Sequence, residues 1–247
     1  MYQLGLIGKR LDYSFSVNYF QQKFQTEKLH NWQYLNYEID NIDKINTIWS
    51  IDNLKGLNIT IPYKQAIIPY LDEIRGVAKD LMVVNTVVLK NDKKIGYNTD
   101  YIGLKQCVEK HVPRYAPKAM IIGTGATAKT AAYVLYELGI ECIYITRNEN
   151  ITPNTYTYTQ AKELKLVTHY PIIIQTTPVG TYPFIDEKPD ISYELLTPAH
   201  LLVDVIYNPS PSSFLIEGIK QGASTISGNE MLLKQAEASW QVWQASI

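Results

Sequence analysis

The stretch KAMIIGTGATAKTAAYVLYELG, residues 118–139, constrains the chain more than any other. A short apolar run leads into the turn Gly123-Thr124-Gly125-Ala126-Thr127-Ala128, and an alanine-rich helical pattern follows. Glycines at such a turn let the backbone bend tightly and approach a pyrophosphate, which then sits among the free N–H groups of a helix N-terminus. The third small position, Ala128, lets helix and strand pack closely. A glycine pattern alone is generic; a strand before it and a helix after it are the context that gives it meaning. Gly123, Gly125, Ala126 and Thr127 are therefore candidate cofactor-binding residues. The next strand, ECIYIT, ends at Thr146-Arg147, where a NAD-binding domain usually carries an acid for the ribose 2′-hydroxyl. An arginine there suits a 2′-phosphate through charge-assisted hydrogen bonds, and Lys129 adds positive field. The residues favour NADP over NAD.

Strand-length apolar runs alternate with helical patterns throughout, which predicts an α/β fold. Before the glycine turn, YQLGLIG, WQYLNYEI and GLNITIP read as strands. FSVNYFQQKFQTEKL reads as a helix with Phe15, Tyr19 and Phe24 on one side, and IDKINTIWSI as a second helix. MVVNTVVLKNDKKIGYN reads as a hairpin turning at Asn91-Asp92. A helix from Asp100 breaks at Pro113, and a second unit opens near Pro117. PIIIQTT and LLVDVIYN add strands to it, and GNEMLLKQAEASWQVWQ closes the chain as a helix.

Composition narrows the classes of function. With a net charge of −1, no broad basic field points to nucleic acid or an anionic membrane. No run approaches ~20 apolar residues, and the start lacks a charged segment followed by a long apolar one. Cys107 and Cys142 suit a reducing compartment. The four histidines share no metal-ligand spacing, so no metal is expected. The chain reads as cytoplasmic; a monomer or homodimer is the expectation, and no residue pattern decides between them.

Small polar residues collect where strands stop. Ser14 and Ser16 are two apart, as are Asn58 and Thr60, so each pair faces one side if extended. Pro62 stops the ladder after GLNITI, leaving Lys64 in a turn or at a helix start. VVNT supplies Asn85, and GYNTD supplies Asn98, Thr99 and Asp100. Hydroxyls and amides beside one amine and one carboxylate would suit a substrate rich in hydroxyl groups.

GLNITIPYK, VVNT, GYNTDYIG, IIGTGATAKTA and GNEMLLKQAEASWQVW stand in the order and spacing of the shikimate dehydrogenase family, which the chain resembles over nearly its whole length. The resemblance implies reversible NADPH-dependent reduction of 3-dehydroshikimate to shikimate, in chorismate and aromatic amino acid biosynthesis. It implies two α/β domains: an N-terminal substrate domain with a mixed sheet, and a Rossmann-type domain with a doubly wound parallel sheet. The substrate domain would take residues 1–101 plus about 222–247, and the NADP-binding domain about 102–221. Lys64 and Asp100 match the family's catalytic pair. Ser14, Ser16, Asn58, Thr60, Asn85 and Gln235 match its substrate-binding residues, and Tyr207 a tyrosine near substrate and nicotinamide. Gly228 and Met231 match residues that approach the nicotinamide.

The chain departs from the family's pattern in places. YSFSV replaces the common HSLSP, so Tyr13 and Val17 are changed positions. MVVNT replaces GAVNT, putting Met82 and Val83 at small positions. Ala126 stands where a further glycine is common, TRN replaces NRT, Ile151 takes the place of a second basic residue, and Thr181 that of a methionine. The alternatives are an NAD-dependent quinate/shikimate dehydrogenase, which retention of Ser16 disfavours, and a non-catalytic nucleotide-binding regulator, which would not need both Lys64 and Asp100.

Overall fold

The computed structural model describes residues 1–11, 14–112, 118–149 and 152–246. The expectations placed on Tyr13, Pro113, Pro117 and Ile151 lie outside the described residues. The chain divides into two compact units, Met1–Thr99 with Ala236–Ile247, and Asp100–Gln235.

The first unit runs β1 (Tyr2–Gly8), α1 (Phe15–Thr26), β2 (Trp32–Glu38), α2 (Ile45–Trp49), β3 (Leu54–Ile59), β4 (Glu73–Ile74), α3 (Val77–Leu81), β5 (Thr86–Lys90) and β6 (Lys93–Tyr97). Among the described residues these strands form one sheet in the order β2-β1-β3-β5-β6-β4. It is mixed: β1 pairs in parallel with β2 and β3, while β5 runs antiparallel to β3 and β6. The β5–β6 hairpin turns on Asn91 and Asp92, with φ of 50° and 59°. Two successive left-handed residues match the right-handed twist of the flanking strands, and Asn and Asp tolerate that conformation.

Helix α1 differs from its reading in one respect. Its buried positions are Ser16, Phe20 and Phe24, whereas Phe15 and Tyr19 are half-buried and stack on each other at 5.8 Å between ring centroids. Positions i, i+4 and i+8 define the inward face, and Phe20 holds it there by stacking on Tyr34 at 4.5 Å. The second predicted helix is broken, a 3-10 turn at Ile42–Lys44 preceding α2.

The second unit runs α4 (Asp100–Val108), β7 (Lys118–Ile122), α5 (Ala126–Glu137), β8 (Glu141–Thr146), β9 (Thr155–Thr157), α6 (Tyr158–Glu163), β10 (Ile172–Gln175), β11 (Leu201–Asp204), α7 (Ser213–Lys220), β12 (Ser224–Ile226) and the start of α8 (Gly228–Gln244). The sheet order is β12-β11-β10-β7-β8-β9, with every pairing parallel. Counting outward from β7, that is the order of a doubly wound nucleotide-binding sheet, with its switch point between β7 and β10. Both faces are covered, as parallel sheets require. Ala119, Ile121, Ile174 and Val203 pack on one side with α4 and α5, and Met120, Ile122, Ile173 and Leu202 on the other with α6 and α7. Cys107 is buried and Cys142 half-buried, and both are free thiols.

Helix α8 ends in the first unit, where Trp240 and Trp243 join the aromatic cluster of Phe20, Phe24 and Trp32. The Trp243 indole donates to the Val87 carbonyl at 2.9 Å. It fits there because residue 56 is glycine: a Cβ at that position would lie 2.1 Å from the indole nitrogen.

Of the two bulky residues at small positions, Val83 is fully buried core. Met82 ends α3 in the left-handed region, at φ 52° and ψ 44°, with its side chain half exposed. A side chain there costs about 1 kcal/mol relative to glycine. Met82→Gly is expected to raise the unfolding free energy by about 0.5–1 kcal/mol, seen as a higher urea midpoint at unchanged slope. A lower midpoint would show that the methionine is unstrained.

Candidate active site

In the first unit the predicted polar residues gather at one edge of the sheet. The register pairs Asn58 with Thr86, and Thr86 with Tyr97. The carboxyl ends of β3 and β6 and the amino end of β5 therefore meet there, with the carboxyl end of β1 beside β3. Loops leaving such an edge carry Thr60, Lys64, Asn98 and Thr99, while Asn85 immediately precedes β5.

A buried hydrogen-bond network fills this edge. The Tyr34 hydroxyl donates to Asn58 Oδ1 at 2.8 Å, and Ser16 also hydrogen-bonds Tyr34. Asn58 Nδ2 donates to Thr86 Oγ1 at 3.1 Å and to Ser239 Oγ at 3.0 Å. The hydroxyls of Thr86, Thr99 and Ser239 form a triangle with sides of 3.0, 2.9 and 2.9 Å. Asn85 closes the network: its Oδ1 accepts from the Thr99 backbone N–H at 2.6 Å, and its Nδ2 donates to Thr99 Oγ1 at 3.0 Å. Asn58, Asn85, Thr86, Thr99 and Ser239 are all buried. Buried polar groups demand partners, and a fully paired network is rigid.

Around it stand the groups that can meet a ligand. Lys64 is half-buried, and its carbonyl accepts from the Val84 N–H at 2.8 Å, which fixes its backbone beside Asn85. Thr60 packs over Gly8, where a Cβ would lie 2.7 Å from its methyl group. Ser14 precedes α1 without capping it. Its hydroxyl oxygen is buried and has no hydrogen-bond partner among the described residues. An unpaired buried hydroxyl is costly, so this one fits a ligand that supplies the missing partner.

In the second unit the glycine turn has the geometry that phosphate binding requires. Gly123 follows β7 at φ 108°, and a Cβ there would lie 2.8 Å from Thr176 Oγ1. Gly125 sits at the N-cap of α5, which no side chain caps, and faces open space. The first N–H groups of α5 therefore lack a side-chain partner in front of them, at the positive end of the helix dipole. Ala126 and Thr127 form its first turn. Arg147 is exposed just beyond β8, and the buried Thr146 accepts from the Asn148 N–H at 3.2 Å. These residues fit a dinucleotide.

The remaining predicted residues of this unit are distributed along α4, α8 and the loop after β11. Asp100 is buried in the first turn of α4. Gln235 is buried in α8 against Gly103, where a Cβ would lie 3.1 Å from the glutamine Cβ. Gly228 opens α8 at the end of β11; a Cβ there would lie 2.5 Å from the carbonyls of both Val205 and Ile206. Met231 is 8% exposed and packs in the core with Leu104 and Cys107. Tyr207 is half-buried in the loop between β11 and α7. Asp204 anchors that loop: it accepts from the Ile206 N–H at 2.9 Å and from the Ser212 hydroxyl that also caps α7. Thr181 likewise donates to the Asn208 carbonyl at 3.3 Å.

Tyr34, Thr86, Ser239 and Asp204 were not singled out from the sequence. None of the four is set apart by its sequence neighbourhood alone. Among the described residues no group of three or more His, Cys, Asp or Glu is placed to hold a metal ion. No helix among them is long and apolar enough to cross a membrane.

A doubly wound sheet with an open glycine turn, joined to a unit that presents a lysine among hydroxyls and amides, defines a nucleotide-dependent oxidoreductase of small hydroxylated substrates. Comparison with known proteins sharpens this. The family model described as "Shikimate dehydrogenase substrate binding domain" matches residues 6–87. The shikimate dehydrogenase (NADP(+)) of Desulforamulus reducens is 34% identical over 260 residues, covering 97% of this chain and 88% of that protein. The crystal structure of shikimate dehydrogenase 1 from Peptoclostridium difficile is 32% identical, with a TM-score of 0.85 over 100% of this chain and 93% of that one. A shikimate dehydrogenase solved in complex with NADP+ is 28% identical, with a TM-score of 0.83 over 99% and 90% of the two chains. The chain belongs to the shikimate dehydrogenase family.

Asp204 gives the stability a pH dependence of its own. Burial pushes its carboxyl up from 3.8 to about 6, against the opposing hydrogen bonds from Ser212 and Ile206. The folded chain then holds a proton that the unfolded chain has released between about pH 4 and pH 6. The contribution to stability is favourable below that window and is lost as pH rises through it, by about 3 kcal/mol in all. Asp204→Asn is expected to become progressively more stable relative to the parent from pH 4 to pH 7 in urea titrations. A pH-independent difference would place the proton elsewhere.

Proposed function

We propose that the chain catalyses the reversible NADPH-dependent reduction of 3-dehydroshikimate to shikimate, in chorismate and aromatic amino acid biosynthesis. The observation that carries this reading is the buried Ser14 hydroxyl, which has no hydrogen-bond partner among the described residues, in a unit whose polar network fixes Asn85 and where the Val84 N–H fixes the Lys64 backbone. It fits a ligand whose own hydroxyl or carboxylate groups complete the hydrogen bonding.

Ser14, Ser16, Asn58, Thr60, Asn85, Tyr207 and Gln235 take the substrate, and Lys64 and Asp100 do the proton chemistry. Reduction of a ketone develops negative charge on its oxygen, so a donor aimed at that oxygen lowers the barrier. The Lys64 ammonium supplies this donor and gives up its proton to the new hydroxyl; in the reverse direction it takes the proton back. Asp100 accepts a hydrogen bond from a substrate hydroxyl and so fixes the ring's orientation. NADPH, when bound, supplies the hydride. Gly123, Gly125, Ala126 and Thr127 hold its pyrophosphate, Arg147 its 2′-phosphate, and Gly228 and Met231 lie toward its nicotinamide end. The first unit with the end of α8 serves as the substrate domain and the second as the NADP domain. The enzyme works in the cytoplasm, as a monomer or homodimer.

Initial rates of nicotinamide reduction test the reading, with shikimate and quinate each offered NADP and NAD. Turnover is expected with shikimate and NADP, and Lys64→Ala is expected to lose ~10²–10⁴-fold in kcat. A preference for quinate with NAD would overturn the assigned substrate and cofactor. No turnover, with nucleotide still bound, would make the chain a nucleotide-binding regulator. Arg147→Ala is expected to raise the KM for NADP about tenfold or more while leaving that for NAD nearly unchanged. Equal effects on both would remove Arg147 from the 2′-phosphate site.

A further inference from the structure

We propose that Ser239 is a positioning residue for the Asn85 carboxamide, acting through the hydroxyls of Thr86 and Thr99. The inference rests on the reading above, in which Asn85 binds the substrate. Ser239 comes from the far end of the chain, 140 residues after Thr99 and 153 after Thr86, yet its hydroxyl lies 2.9 Å from each of theirs. It is fully buried, as is Thr86, and Thr99 is 1% exposed.

Counting donors shows why the serine matters. A hydroxyl gives one hydrogen and accepts two, and a carboxamide nitrogen gives two. Asn58 Nδ2 shares its two hydrogens among three acceptors, Ser239 Oγ at 3.0 Å, Thr86 Oγ1 at 3.1 Å and the Asn85 backbone carbonyl at 3.3 Å. Asn85 Nδ2 donates to Thr99 Oγ1, while Asn85 Oδ1 lies 3.2 Å from Thr99 Oγ1 and 3.3 Å from Thr86 Oγ1. The two threonines thus divide their hydrogens and lone pairs between Asn85 on one side and Ser239 on the other. Which way each hydroxyl points is decided by the set as a whole. Without the serine oxygen, Asn58 loses an acceptor and both threonines lose a partner. Their hydroxyls are then free to turn away from Asn85, while the bond that its carboxamide accepts from the Thr99 backbone N–H stays in place.

The position in α8 is not accidental to this role. Trp243, one turn further on, is hydrogen-bonded to Val87, the residue after Thr86. The indole sets the helix against β5, and Ser239 is carried into the triangle as a consequence.

The test is a double-mutant cycle on the purified full chain with shikimate and NADP. Ser239→Ala is expected to raise the KM for shikimate about fivefold to tenfold, with the KM for NADP within about twofold of the parent. In an Asn85→Ala background the same substitution is expected to change kcat/KM by less than about twofold, because the group it orients has gone. Should Ser239→Ala fail to fold, Thr86→Val removes the neighbouring hydroxyl at constant shape and is expected to give the same selective loss. Thr86→Ser, which keeps the hydroxyl, is expected to recover most of it. Equal losses with and without Asn85, or equal rises in both KM values, would make Ser239 a packing residue and overturn the inference alone. A parent protein that does not turn over shikimate would overturn the proposed function and this inference together.

Discussion

The contact on which the first unit depends is the indole of Trp243 lying against the backbone of Gly56. No other residue type at position 56 leaves room for it, since even one added carbon would overlap the ring. The hydrogen bond to Val87 then fixes the ring against β5. Two things follow from a single large side chain seated on a bare strand. The aromatic cluster of Phe20, Phe24, Trp32 and Trp240 closes around it, and the preceding turn of α8 is brought over the sheet edge where the polar residues meet. Apolar packing thus places polar groups that could not gather by themselves. Their burial is tolerated only because each finds a partner among the others.

The second unit reaches a comparable result by backbone geometry. Its candidate binding edge is made by residues without side chains at places where side chains would collide: Gly123 beneath Thr176, and Gly228 beneath the carbonyls that end β11. Side chains act there mainly as struts. Asp204 ties the loop bearing Tyr207 to the start of α7, and Gln175 accepts from the Thr177 N–H at 3.1 Å while donating to the Val179 carbonyl.

Much of this architecture was legible in the sequence, for physical reasons that also explain the rest. The parallel sheet announced itself because its buried strands are short continuous apolar runs, and the glycine turn stood out because few residues tolerate its backbone. The Asn91-Asp92 hairpin was readable for the same reason. The inward face of α1 was misread: aromatic residues occur at 15, 19, 20 and 24, and periodicity alone does not tell which of them meet Tyr34. Among the polar residues, Lys64, Asn85 and Asp100 were visible as groups out of place at the ends of apolar strands. Thr86 and Ser239 were not, because a threonine in a strand and a serine in a helix are ordinary until a fold brings them within 3 Å. Short elements such as β4 and β12 lack enough residues to show a period.

Helix α8 belongs to both compact units, its first turns counted with Asp100–Gln235 and its last with Met1–Thr99. The order of synthesis gains a meaning from this. Domains emerging from the ribosome fold largely as units, earlier ones first. Here the unit that begins first cannot be completed until residue 243 has been made, so the middle of the chain has its own sheet and most of its core available sooner. The N-terminal sheet must wait with Gly56 uncovered and its polar edge unpaired, open to water and to other chains. A nascent chain stalled between residues 227 and 235 would hold a finished nucleotide-type sheet attached to an unfinished one. That asymmetry makes the last helix a latch on folding as well as a part of the site.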